Sequence, residues 1–169
     1  MAAFNISVVN SCKFLAIRAS RNDNTSTQAD IVFTYLGTGG GSYTAIMNYD
    51  AQGKGNINVP TDNLPVQYGV YRVCIKEQGI EYGCKPALIK CDIDCCLTKL
   101  TDELLDCSCD CPKCALSLAK AQKVFLLIQA AIESVNLAGT SQSDGYYLDI
   151  LSKYNKAKEI CDTSCGCDC

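Results

Sequence analysis

Residues 70–100 read VYRVCIKEQGIEYGCKPALIKCDIDCCLTKL, and the fold turns on how this stretch divides. Its first part consists of two short runs rich in β-branched and aromatic residues, VYRVCIKE and IEYGCKPALIK. They flank Gln78-Gly79, a step suited to a tight hairpin turn. Such a hairpin sets Cys74 and Cys84 on neighbouring strands, close together though not necessarily opposite. Burial as free thiols is the expectation for both, since an unpaired cysteine packs as a small apolar group. Past Lys90 the period changes from two to between three and four. Leu97, Leu100, Leu104 and Cys107 recur on one face, which predicts a helix over 93–107.

Working back from the hairpin, the chain keeps the character of strands. FNISVV, KFLAIRA, DIVFTYLG, SYTAIMNY and NINVP are separated by NDNTSTQ, GTGGG, DAQGKG and TDNLP, which are turn and loop compositions. Short strands at this spacing predict a small Ig-like β-sandwich over residues 1–90, with a barrel as the alternative. GTGGGS at 37–42 is glycine-rich but lacks the lysine and hydroxyl residue of a phosphate loop, and a strand follows it. It reads as a hairpin loop.

Working forward, residues 91–169 predict a Cys-rich antiparallel three-helix bundle, which makes the fold class α+β. The second helix, over 112–137, shows the stripe Cys111, Cys114, Leu118, Ala121, Phe125, Ile128, Ile132 and Val135. The third, over 145–161, shows Tyr147, Ile150, Tyr154, Ala157 and Cys161. Pro112 suits a first helical position, and Ser143 or Asp144 suits a cap. In an up-down-up bundle the end of the first helix, the start of the second and the end of the third share one pole. Cys107, Cys109, Cys111, Cys114, Cys161, Cys165, Cys167 and Cys169 then converge there.

The chemistry of that pole follows from what surrounds it. The chain has 14 cysteines and no histidine, so any zinc must be held by thiolates. The helical half carries seven Lys against twelve Asp and Glu, a charge of −5 that favours a bound cation. Structural zinc at those eight cysteines is the expectation, with disulfides as the alternative. Eight cysteines allow 105 pairings, so the sequence cannot choose among them. The CxxCxxC run of a ferredoxin is absent, and the CxxC of Cys111 and Cys114 lacks the βαβ setting of a redox enzyme. Cys96 falls by the apolar stripe of the first helix. Cys91 and Cys95, four apart, are secondary candidates to pair or bind.

Composition narrows the function classes. A net charge of −3 without a basic stripe argues against a nucleic-acid surface. The start MAAFNISVVNS lacks the charged and apolar regions of a secretory signal, which points to synthesis in a reducing cytoplasm. No uninterrupted run of eighteen apolar residues occurs, so a conventional membrane span is not expected. Without histidine the commonest general base is missing, and Asp102, Glu103 and Asp106 read as a solvated helix face. No enzyme activity is expected.

The stretch from Val70 to Ser134 couples a GVYxVxI hairpin to CxxxCC, a short helix, CxCxC and a long helix. In this it resembles virion proteins of tailed bacteriophages, the crAss-like and related phages of Bacteroidetes hosts. The likeness covers residues 65–169 best. It implies a non-enzymatic structural component of a phage tail, neck or capsid surface, made in the host bacterial cytoplasm and carried in the virion. Its implied partners are other virion proteins and further copies in a symmetric homo-oligomer. An intracellular zinc-binding adaptor or metal buffer is the alternative function.

Overall fold

The computed structural model describes residues 5–21, 27–105 and 112–164. Seven antiparallel strands precede three helices: β1 (Asn5–Asn10), β2 (Phe14–Ser20), β3 (Gln28–Tyr35), β4 (Ser42–Asn48), β5 (Lys54–Pro60), β6 (Gly69–Glu77), β7 (Ile80–Ile89), α1 (Cys91–Leu105), α2 (Pro112–Leu137) and α3 (Asp144–Ser164). The strands form a three-stranded sheet in the order β1-β2-β5 and a four-stranded sheet in the order β4-β3-β6-β7. The fold is therefore mixed α+β, with two sheets followed by helices.

Alternation within each strand decides which side chains meet. Leu15 and Ile17 of β2, Ile31 and Phe33 of β3, Val59 of β5, and Tyr71, Val73 and Ile75 of β6 belong to one buried cluster shared by both sheets. The alternate residues of β6 and β7 face the other way. Val70 and Leu88 join a second cluster with Ile93, Leu100, Val124, Ile128, Ile150 and Tyr154 of the helices. The β6–β7 hairpin is thus covered on both faces, and this is why GVYRVCIKE carries apolar residues at consecutive positions rather than in strict alternation.

Local chemistry fixes the joints. Gln78 and Gly79 both have positive φ, 49° and 81°, as a two-residue hairpin turn of the primed type requires. Downstream, the pairing slips. Lys76 faces Glu81 but Ile75 faces Gly83, so Tyr82 is the extra residue of a β-bulge. That slip brings Cys74 directly opposite Cys84. At the same end of the strands, Arg21 and Glu77 form a buried ion pair at 3.1 Å, with the guanidinium 5.4 Å from the Tyr49 ring centre. Burial, then the Glu77 carboxylate, hold the Tyr49 hydroxyl well above its ordinary pKa.

The helices depart from expectation in one respect. In α3 every predicted stripe residue, Tyr147, Ile150, Tyr154, Ala157 and Cys161, is buried. In α2 the stripe residues Ile128, Ala121, Ile132 and Val135 pack on the helical cluster, but Leu118 and Phe125 are 46% and 52% exposed, and Val124 and Ala131 are buried in their place. Both faces of α2 are apolar, so periodicity does not distinguish the one that packs. By length and composition the segment Ala115–Leu137 is apolar enough to cross a membrane, with a mean hydropathy of 1.4. Only 17% of its most apolar window is buried, on the face of Val124, Ile128 and Ala131.

Candidate functional site

The seam between the β6–β7 hairpin and the helices brings a cystine, a cation, a carboxylate and a buried tyrosine together. Cys74 and Cys84 form a disulfide across the two strands, with their Cα atoms 4.0 Å apart. Free thiols were the expectation here; the bulge at Tyr82 overturns it by aligning the pair. Tyr147 of α3 packs on this cystine, with Leu36 beside it. Arg72, the β6 residue two before Cys74, reaches Glu81 at 3.1 Å and Asp144 at 3.5 Å. Its guanidinium also lies 5.5 Å from the Tyr147 ring centre. One cation therefore ties a strand pair to the first residue of α3.

The backbone adds a further tie, since the Cys84 N–H donates to the Thr140 carbonyl in the α2–α3 connection at 3.0 Å. Burial raises the pKa of Tyr147, and the adjacent Arg72 offsets only part of that effect. The Cys74 and Cys84 sulfurs and a Glu81 carboxylate oxygen lie within 4.8 Å of one another, a three-donor set for a thiophilic cation. Two features oppose metal in the observed state. The sulfurs are bonded to each other, and Glu81 is already matched to Arg72. The arrangement acts as a clasp.

Two more disulfides join distant parts of the chain. Cys12 bonds Cys91 at a Cα separation of 5.7 Å, linking the β1–β2 turn to the first residue of α1. Thr61 positions that turn: its hydroxyl donates to the Cys12 carbonyl at 2.9 Å and its N–H to the Lys13 carbonyl at 3.0 Å. Cys96 bonds Cys161, with Cα atoms 5.8 Å apart, inside the helical cluster. Cys95 is also disulfide-bonded.

Around the Cys96–Cys161 bond a polar brace closes the contact between α1 and α3. The Tyr154 hydroxyl donates to Asp92 at 2.6 Å, and Lys158 lies 3.6 Å from the same carboxylate. Burial and then Asp92 hold the Tyr154 hydroxyl far above its usual range. For Lys158 burial pulls downward, but Asp92 and Asp162 outweigh it and leave the ammonium more strongly protonated. All of these partners hold charge or protons in place.

The eight cysteines expected at the helical pole fare unequally. Cys161 is tied to Cys96, and a sulfur in a disulfide is not a thiolate ligand. Cys107, Cys109, Cys111, Cys165, Cys167 and Cys169 lie outside the described residues, as does the side chain of Cys114 within α2. Glu103, in the last turn of α1, accepts a hydrogen bond from Ser117 of α2 at 3.4 Å, so the end of α1 neighbours the start of α2. Cys12 carried no sequence signal beyond its residue type, because its partner is 79 residues away. The disulfide alternative thus holds for Cys12, Cys74, Cys84, Cys91, Cys96 and Cys161. Comparison with protein-family models, with curated proteins and with solved structures found no match for this chain.

Proposed function

We propose that the chain is a non-enzymatic structural component of a bacteriophage virion, a rigid tile whose helical layer is fastened to its strands by cystines. In this reading the two sheets are an Ig-like sandwich and the helices an antiparallel three-helix bundle. The Tyr71 hydroxyl supports the sandwich: it accepts from the Val66 N–H at 3.0 Å and donates to the Val66 carbonyl. A tyrosine at a strand entrance bonded back to the preceding backbone is the corner device of Ig-like sandwiches.

The observation that carries the functional reading is the pair of long-range disulfides, Cys12–Cys91 and Cys96–Cys161, which span 79 and 65 residues. Crosslinks of this length suit a protein that must hold its shape after leaving a reducing cytoplasm, and they persist where the medium is oxidising. A tile of this kind works beside other virion proteins and further copies of itself. Zinc remains a proposal for the cysteines at 107, 109, 111, 114, 165, 167 and 169 that the bond of Cys95 leaves over.

Peptide mass spectrometry of purified particles from the phage that encodes the chain tests the role. Recovery in stoichiometric amount with other particle proteins is expected. Presence in the lysate with absence from particles would sink the reading. Intact mass before and after reduction separates the staples: each disulfide adds about two mass units on reduction, and bound zinc disappears only on denaturation or chelation.

A further inference from the structure

The outward face of α2 is unlike the rest of the helical surface. Ala119, Lys123, Leu126, Ala130, Glu133 and Leu137 recur at alternating steps of four and three residues, the spacing of a helix–helix seam. The buried residues of this helix, Val124, Ile128 and Ala131, lie on its opposite side. Leu126 and Leu137 are 67% and 81% exposed, so the seam is not an extension of the core.

We propose that this seam pairs with the same seam of a second copy of the chain, antiparallel about a twofold axis at the level of Ile128. The pattern is self-complementary in that register. Ala119 meets Leu137 of the partner subunit, Lys123 meets Glu133 of the partner subunit, and Leu126 meets Ala130 of the partner subunit. The twofold repeats each contact. Every layer sets a small residue against a leucine or a cation against an anion, over about 27 Å of helix. Parallel pairing in register would oppose Lys123 to Lys123 and Glu133 to Glu133. A slide of one heptad would press Lys123 onto Leu126. Charge and volume therefore select one orientation and one register.

A lipid surface is the other occupant that an apolar helix suggests. It offers no reason for Lys123 and Glu133 to stand equally far from the centre of the pattern, five residues on either side of Ile128. The pairing deepens the building-block reading and rests on it for its biological sense, but its test is separate. If the chain is monomeric yet recovered in particles, the pairing fails and the structural role stands.

The test is sedimentation-based mass measurement of the full, oxidised chain, by analytical ultracentrifugation from about 1 to about 100 μM, a span that resolves dissociation constants of the same order. A dimer is expected. Lys123→Glu and Glu133→Lys each place like charges in two layers, and each is expected to weaken the dimer at least ~10-fold. Mixing those two variants restores both pairs, so a heterodimer of wild-type affinity should form. Leu126→Glu should leave a monomer whose circular dichroism is unchanged, since the position is exposed. Three results would overturn the proposal: a wild-type monomer throughout, an oligomer indifferent to these substitutions, or binding to phosphatidylcholine vesicles in place of self-association.

Discussion

The interior between the two sheets and the interior under the helices are held by different means. Between the sheets, Leu15, Ile17, Ile31, Phe33, Tyr71, Val73 and Ile75 are wholly buried, and apolar packing fills the middle. Under the helices the apolar supply is partly turned outward, with Leu105, Leu116, Leu118, Phe125, Leu126, Leu137 and Leu148 exposed. There the contacts are reinforced by Cys96–Cys161, by Cys74–Cys84 beneath Tyr147, and by the Asp92–Tyr154 hydrogen bond. Where burial is deep, packing does most of the holding, and the Arg21–Glu77 pair and the Cys12–Cys91 bond stand at its margins. Where a layer spends apolar surface on its outside, covalent and polar ties take over.

The contrast can be broken by targeted changes. Phe33→Ala should cost about 3–5 kcal/mol through a cavity no neighbour can fill, lowering the urea midpoint of the whole molecule. A loss under about 1 kcal/mol would show that the sheet interior is loosely packed. The paired change Cys96→Ala with Cys161→Ala should cost about 2–5 kcal/mol and act on the helices first. Far-UV ellipticity at 222 nm should then melt before hydrogen-exchange protection of the sheet amides is lost. Coincident transitions would mean that the two layers unfold as one unit regardless of the crosslink.

Alkali probes the same distinction through Tyr49, Tyr71, Tyr147 and Tyr154, whose pKa values are all raised above the ordinary 10.0 chiefly by burial. A raised folded pKa means that the neutral phenol is favoured in the native state. The resulting stability is fully present below about pH 10 and is lost as pH climbs beyond it. Denaturant midpoints should therefore be flat with respect to these groups up to about pH 9 and fall above pH 10. Phenolate absorbance should appear together with unfolding rather than ahead of it.

Two smaller effects sharpen the reading of individual residues. Val124→Ala should destabilise by about 2 kcal/mol, whereas Phe125→Ala next to it should stay within about 0.5 kcal/mol, both measured at low concentration. The reverse order would place α2 the other way round. Gln78→Asn should stabilise by about 0.5 kcal/mol, because Asn tolerates the left-handed backbone of that turn better than Gln. A loss at this position would indicate that the Gln78 side chain has a tie of its own.

Much of this was legible in residues 70–100 and in the strands before them. All seven strand segments, the Gln78-Gly79 turn and the α3 stripe were read from local pattern, because turn chemistry and periodicity act over a few residues. Three things were not, or only in part. The Cys74–Cys84 disulfide depends on the single-residue bulge at Tyr82, which shifts register without a distinctive sequence mark. The inward face of α2 was legible only in part: Ile128, Ala121, Ile132 and Val135 do pack inward, but Leu118 and Phe125 do not, and they are as apolar as the buried Val124 and Ala131. Cys12–Cys91 and Cys96–Cys161 are properties of tertiary approach, to which no local rule applies. The cysteine runs at 107–114 and 161–169 overlap the crosslinks Cys12–Cys91, Cys74–Cys84 and Cys96–Cys161 only at Cys161.

Cys12–Cys91 and Cys96–Cys161 do more than join layers, for together they give the molecule the covalent outline of a figure of eight. One ring runs from residue 12 to 91 and carries the strands; the other runs from 96 to 161 and carries the helices. They meet across a little more than one turn of α1. A protease that cuts the backbone once inside either ring opens a loop but releases no fragment.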